Sequence, residues 1–175
     1  QTYAGSPKAL PRAFEKEGPV ISLLRRQHAV FMGKTHTVEF AFGGLGVNSH
    51  WGTPRNPWDA NTHRVPGGSS CGAGVSLLEG SAWIALGSDT AGSVRVPACM
   101  TGCVGLKTSF ARWSLEGIFP LSPNLDSVGF LSRTVEDALM GFTAIDPTYQ
   151  GKLAELIKET ESLNPASIRI STGEL

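Results

Sequence analysis

Apolar positions along this chain come in two kinds of burst, some spaced three and four apart and others continuous. Over 19–28, Val20, Ile21, Leu23 and Leu24 precede Arg25 and Arg26. That spacing predicts an amphipathic helix whose last turn carries cations, where they meet the negative end of the helix dipole. A helix is expected over 72–80, directly after the turn Gly67-Gly68-Ser69-Ser70, and a short one over 94–101. The best-signalled helix covers 134–145, with Val135, Ala138, Leu139 and Phe142 on one face and Glu136 and Asp137 near its start. The pattern returns over 152–163 through Leu153, Leu156, Ile157 and Leu163. Continuous apolar runs at 29–32, 82–86 and 104–106 read as buried strands, and 168–170 as the opening of another. Residues 1–17 and 42–64, with their glycines and prolines, read as loops. Helices alternating with short apolar strands predict an α/β fold, a parallel or mixed sheet flanked by helices.

The 175 residues suffice for one domain with a sizeable core, and neither a repeat nor a linker marks a second. Lys+Arg and Asp+Glu both number 15. With no basic stripe and no charged tail, neither nucleic acid nor a polyelectrolyte is an expected partner. Charged residues make up 17%, below the roughly 25% usual for soluble domains, which fits a piece of a larger protein whose remainder covers part of the surface. No apolar stretch is long enough to span a membrane, and the N-terminus lacks a signal-peptide plan. Cys71, Cys99 and Cys103 form no CxxC pair, so they read as small buried hydrophobes in a reducing compartment, the cytoplasm. His28, His36, His50 and His63 show no metal-ligand spacing. No metal and no organic cofactor are expected.

Two serines on glycine-rich turns hold the candidate chemistry: Ser69 in Pro66-Gly67-Gly68-Ser69-Ser70, and Ser93 in Gly87-Ser88-Asp89-Thr90-Ala91-Gly92-Ser93. A serine hydroxyl is a poor nucleophile until a base takes its proton. It also needs donors aimed at the oxygen that becomes negative. The small residues Thr90, Ala91, Gly92 and Ser93 let the backbone turn so that successive N–H groups point one way. Taken alone, each turn has a plainer reading. Ser93 before a helix is an ordinary N-cap, and the Gly67-Gly68-Ser69-Ser70 turn is a loop, a cap or a phosphate cradle. No Gly-Lys-Ser/Thr follows the latter, and Gly33-Lys34-Thr35 has His28 where a P-loop needs its first glycine. Neither serine sits in a Gly-x-Ser-x-Gly elbow.

The joint pattern is more specific. Between 30 and 138 the chain carries Met32-Gly33-Lys34-Thr35, Glu39-Phe40-Ala41-Phe42-Gly43, Gly52-Thr53-Pro54-Arg55-Asn56-Pro57-Trp58-Asp59, both serine turns, Val104-Gly105-Leu106-Lys107, Pro120-Leu121-Ser122, Leu125-Asp126 and Arg133-Thr134-Val135-Glu136-Asp137-Ala138. In this order and spacing they resemble the amidase signature family, whose members hydrolyse amide C–N bonds through a Ser–Ser–Lys triad. The resemblance implies an α/β/α domain with a mixed sheet, of which 1–175 is a part. It implies that Ser93 is the acylated nucleophile and Ser69 a bridging serine preceded by a cis peptide. The N–H groups of Thr90, Ala91, Gly92 and Ser93 would form the oxyanion hole. Ser70 and Gly68 would meet the substrate, and Asp89 and Arg95 would brace the turn. The family's lysine belongs to a Lys-Asp step upstream of the segment resembling Gln1-Thr2-Tyr3-Ala4-Gly5-Ser6, and this chain starts after it.

Two departures stand out: Cys71 where glycine or serine is usual, and Ala91 where glycine is commonest. Lys34 and Lys107 are the candidates for a substitute base, with loop and packing roles preferred for both, and Lys8 is a third whose exposed loop position argues against it. The expected substrate is a small-molecule amide. The second reading is the glutamine-hydrolysing A subunit of a tRNA-dependent amidotransferase. The third is a base-lacking fragment that binds without turnover. Oligomeric state stays open, a homodimer included.

Overall fold

A computed structural model describes residues 1–169. Among them, three strands form one sheet: β1 (Ile84–Asp89), β2 (Val104–Lys107) and β3 (Ser127–Ser132), in the order β1-β3-β2. Five α-helices accompany it: α1 (Pro19–Arg26), α2 (Cys71–Leu78), α3 (Arg95–Thr101), α4 (Val135–Ile145) and α5 (Leu153–Ser162). Every residue of β3 is buried, because this middle strand has a layer on each face. Side chains alternate across a strand. Val128 and Phe130 therefore join Val20 of α1 and Ala138 and Ile145 of α4, while Leu131 joins Ala73 and Leu77 of α2 and Ala98 of α3. The outcome is the expected three-layer α/β/α arrangement.

Local signals account for the helices. Pro19 opens α1 at a position where its missing N–H costs nothing, and Arg25 and Arg26 close it. Thr134 caps α4 by accepting the Asp137 N–H at 3.1 Å, with Glu136 and Asp137 in the first turn. In α2, the sequence Cys71-Gly72-Ala73-Gly74 keeps side chains small enough for burial on nearly every side; a methyl group added at Gly74 would stand 2.5 Å from the Thr101 hydroxyl of α3.

Three expectations change. Both strand pairings are antiparallel, running from Ile84↔Ser132 to Asp89↔Ser127 and from Val104↔Ser132 to Lys107↔Gly129, so no parallel pair occurs among the described residues. The run at 29–32 forms no strand: it lies on the surface, with Val30 82% exposed and Phe31 beneath the Arg25 guanidinium. The strand expected at 168–170 does not begin at 168 or 169, and residue 170 lies outside the described residues.

Away from the serine turns, buried Asp146 after α4 holds the 112–113 loop. Its carboxylate accepts from Arg112 Nε at 2.6 Å, Trp113 Nε1 at 3.0 Å and Thr148 N–H at 3.0 Å. Burial alone would raise this carboxyl, but the donors, Arg112 first, outweigh it and hold the group below its ordinary value. Asp146→Ala is expected to cost about 3 kcal/mol, since the buried Trp113 N–H and the Arg112 guanidinium lose their acceptor. A fall in the urea midpoint at unchanged slope would register it.

Candidate active site

The turn after β1 is organised by one carboxylate. Asp89, the last residue of β1, is wholly buried. Its Oδ1 accepts from Gly92 N–H at 2.8 Å and Arg95 Nη2 at 2.9 Å. Its Oδ2 accepts from Val94 N–H at 3.1 Å, Arg95 N–H at 3.3 Å and Arg95 Nε at 3.1 Å. Burial pushes this carboxyl up, yet Arg95 and the N–H groups of Val94, Gly92 and Arg95 together hold it below its ordinary value. The Asp89 carbonyl is fixed too, accepting from Ser127 Oγ at 3.0 Å. Gly92 sits at φ +126°, a conformation that side chains disfavour.

The plain capping role for Ser93 does not hold. The N-cap of α3 is Val94, without a side-chain cap bond, so Ser93 is not the helix cap. The Gly92 N–H is turned inward to Asp89, leaving the N–H groups of Thr90, Ala91 and Ser93 outside that cradle.

The second serine turn packs against the first. The Gly68–Ser69 peptide is cis, the form the resemblance implied. Ser69 is buried, and its carbonyl accepts from the Val38 N–H and from Thr37 Oγ1, both at 3.0 Å. The Ser70 N–H donates to the Ser93 carbonyl at 3.2 Å, joining the two turns directly. Gly68 leaves no room for a side chain: a Cβ there would stand 2.6 Å from the Gly43 carbonyl.

These elements border a cleft of about 470 Å³ lined by Gly68, Thr90, Ala91, Gly92 and Ser93 from the two turns. Ala41, Phe42, Gly43 and Gly44 form one further side, and Val96, Leu121 and Ser122 another. Ser69, next to Gly68 in the chain, is buried and is not among the residues that line it. Ser70 does not line it; its hydroxyl packs against β1, 2.5 Å from where a Cβ on Gly87 would be. Asp89 and Arg95 do not line the cleft; they are bonded to each other, and the Asp89 carboxylate accepts the N–H groups of the turn. Asp126 is the residue whose part went unread: buried, it accepts from Thr90 Oγ1 and from the N–H groups of Leu121 (2.9 Å) and Ser122 (3.0 Å). Its only sequence signal was the Leu125-Asp126 string, which names no partner.

The substitute-base candidates are elsewhere. Lys34 Nζ donates to the Gln1 carbonyl at 3.2 Å and to Thr2 Oγ1 at 2.5 Å, Lys107 Nζ to the Thr108 carbonyl at 3.3 Å, and Lys8 is exposed. None lines the cleft. Cys71 opens α2 fully buried, its thiol donating toward the His36 carbonyl at 3.4 Å, and burial raises its pKa. Native protein treated with a thiol-alkylating reagent should react first at exposed Cys99 and last at Cys71, by peptide mass mapping. Rapid alkylation of Cys71 would contradict its burial and make it a candidate nucleophile.

Among the described residues, no group of three or more His, Cys, Asp or Glu side chains is placed to hold a metal ion, and no helix is long and apolar enough to cross a membrane. The family model described as Amidase matches residues 1–163. The chain belongs to the Amidase family. It is 65% identical over 149 residues to the 2-amino-5-chloromuconic acid deaminase of Comamonas testosteroni, covering 85% of this chain and 32% of that one. Against the glutamyl-tRNA(Gln) amidotransferase A subunit of Methylacidiphilum infernorum (isolate V4), identity is 44% over 138 residues, covering 75% and 28%. A crystal structure of an amidase superposes with a TM-score of 0.77 at 39% identity, covering 83% of this chain and 33% of that one. The chain thus spans about a third of the length of the Amidase-family relatives it matches.

Proposed function

We propose that the protein carrying this segment hydrolyses a small-molecule C–N bond of the amide class, with Ser93 as the nucleophile. The observation that carries the reading is the direct junction of the two serine turns at the cleft, Ser70 N–H to Ser93 carbonyl. Ser93 Oγ forms a bond to the carbonyl carbon. Its proton passes to the Ser69 hydroxyl, which gives up its own to a base. By the family's pattern that base is the lysine of a Lys-Asp step. The carbonyl oxygen, now negative, is received by the N–H groups of Thr90, Ala91 and Ser93, while Gly92 shapes the turn that presents them. Collapse breaks the C–N bond, and the nitrogen leaves with the returned proton as ammonia or an amine. Water then attacks the acyl-enzyme, freeing the acid and restoring Ser93.

Ala91 fits this role because a donor needs only its N–H, which the methyl group leaves in place. Gly68 borders the substrate directly, whereas Ser70 supports from behind. Residues 1–175 are read as one partial domain whose chemical motifs fall within 30–138. Three free thiols support a reducing compartment, the cytoplasm. The identity to a deaminase favours a free small molecule as substrate. The 44% identity to an amidotransferase A subunit supports the second reading, a glutaminase working with partner proteins; a homodimer is the alternative assembly.

Trapping tests the reading. Incubated with an activated amide or ester and quenched in acid, the full polypeptide should gain the acyl mass on the peptide containing Ser93. An acyl group found on Ser69 or Cys71 instead would overturn the assignment.

A further inference from the structure

One wall of the cleft is built with unusual backbone. Phe40 and Ala41 are consecutive non-glycine residues in the left-handed region, at φ +51° and +60°. Side-chain residues rarely adopt this region, and when they do the surrounding structure imposes it, often at a functional site. The surroundings here are visible. The Phe40 N–H donates to the Ala4 carbonyl at 2.7 Å, the Ala41 N–H to the Val38 carbonyl at 3.0 Å and the Phe42 N–H to the Glu39 carbonyl at 3.1 Å. The Phe40 ring stacks on Phe119 with centroids 5.1 Å apart. What this arrangement presents is Phe42, an aromatic side chain that is 79% exposed and lines the same cleft as Ser93.

The rest of the cleft suits a flat partner for that ring. Gly43, Gly44, Gly68 and Gly92 contribute backbone without side chains, and Val96 and Leu121 supply apolar surface. Among the described residues that line it, none is charged. A large exposed aromatic in a cleft whose other lining is largely glycine backbone and apolar side chains offers stacking area to a planar group, for which aromatic contacts are favourable.

We infer that Phe42 is a specificity-determining residue, and that the acyl portion held by this part of the cleft is flat and uncharged, an aromatic or conjugated group attached directly to the reacting carbonyl. The inference rests on the proposed amide hydrolysis at Ser93. Phe42 selects among substrates by stacking on the acyl group; it transfers no proton and supplies no donor to the oxyanion.

The experiment compares benzamide with propionamide in the full polypeptide, wild type against Phe42→Ala and Phe42→Tyr, and follows Ser93 phosphonylation by a small fluorophosphonate in parallel. The wild type should prefer benzamide. Phe42→Ala should lower the benzamide-to-propionamide ratio of kcat/KM about 10-fold, the size of one aromatic contact, mostly through KM. Phe42→Tyr, which keeps the ring, should restore most of the ratio. A wild type that is phosphonylated at Ser93 but whose ratio is unmoved by Phe42→Ala would overturn the role of Phe42 and leave the hydrolase reading standing. A wild type that is not phosphonylated at Ser93 would overturn both.

Discussion

Ser93→Ala in the full polypeptide should abolish acyl-enzyme formation and lower kcat by about 10³-fold or more, as expected when the nucleophile of a coupled set is removed. The turn should survive the change, because it is held by the Asp89 carboxylate and Arg95, not by the Ser93 hydroxyl. Ser69→Ala should cost a similar factor, since residues acting as one proton-transfer unit do not add independently. The backbone of Ser69 would stay in place through its carbonyl, which accepts from Val38 and Thr37. A steady-state assay with ammonia detection and an intact-mass measurement after quenching would check both variants. Retention of the acyl adduct in Ser93→Ala would remove Ser93 from the mechanism.

Asp89→Asn is expected to do damage of a different kind. Every partner of the two carboxylate oxygens is a donor: Gly92 and Arg95 Nη2 on one, Val94 and both Arg95 groups on the other. Whichever oxygen becomes NH₂, donors meet a donor and lose their acceptor inside a fully buried site. The loss should be about 3 kcal/mol of stability, by the cost of leaving buried groups unpaired beside a charged partner. A displaced turn should lower kcat/KM by about 10²-fold, because a shift near one ångström in positioned groups has that effect. Urea unfolding and the rate of Ser93 phosphonylation read the two losses separately. The pH dependence has a definite sign. The folded-state carboxyl sits below its ordinary value, so its stabilising contribution is complete above the ordinary value of about 3.9 and is lost as pH falls through the lower folded value. Wild-type stability at pH 7 should therefore be unaffected by this group's titration, whereas Asp89→Asn should flatten the acid limb of the stability profile.

Much of this was legible in the chain before the structure. Thr134 with Glu136 and Asp137 announced α4 because a cap and two acidic residues act locally, within one turn. The serine turns were legible as a pair, and the structure brings them together through Ser70 and Ser93. What escaped depends on distant partners. The β3 segment Ser127-Val128-Gly129-Phe130-Leu131-Ser132 has neither alternation nor a long apolar run, since it is buried on both faces and needs small residues against α3 and β2. The run at 29–32 had strand-like composition but no strand neighbour, and composition carries no information about neighbours. The inward turn of the Gly92 N–H and the packing of Ser70 against Gly87 are matters of orientation, which residue identity leaves open.

Asp126 ties the donor turn to the wall facing it. One carboxylate holds Thr90 through its hydroxyl and Leu121 and Ser122 through their N–H groups, so the part that would stabilise charge and a part that would shape the pocket share an anchor. An enzyme built this way is hard to retune piecemeal. A redesign that swaps the 120–123 stretch for a new substrate would also disturb the donors at 90–93 unless the new loop returned two N–H groups to Asp126. A substitution at Phe42, whose N–H is held by the Glu39 carbonyl, leaves that anchor alone. For anyone seeking altered selectivity, the order of attack follows: the aromatic wall first, the Asp126-anchored loop last.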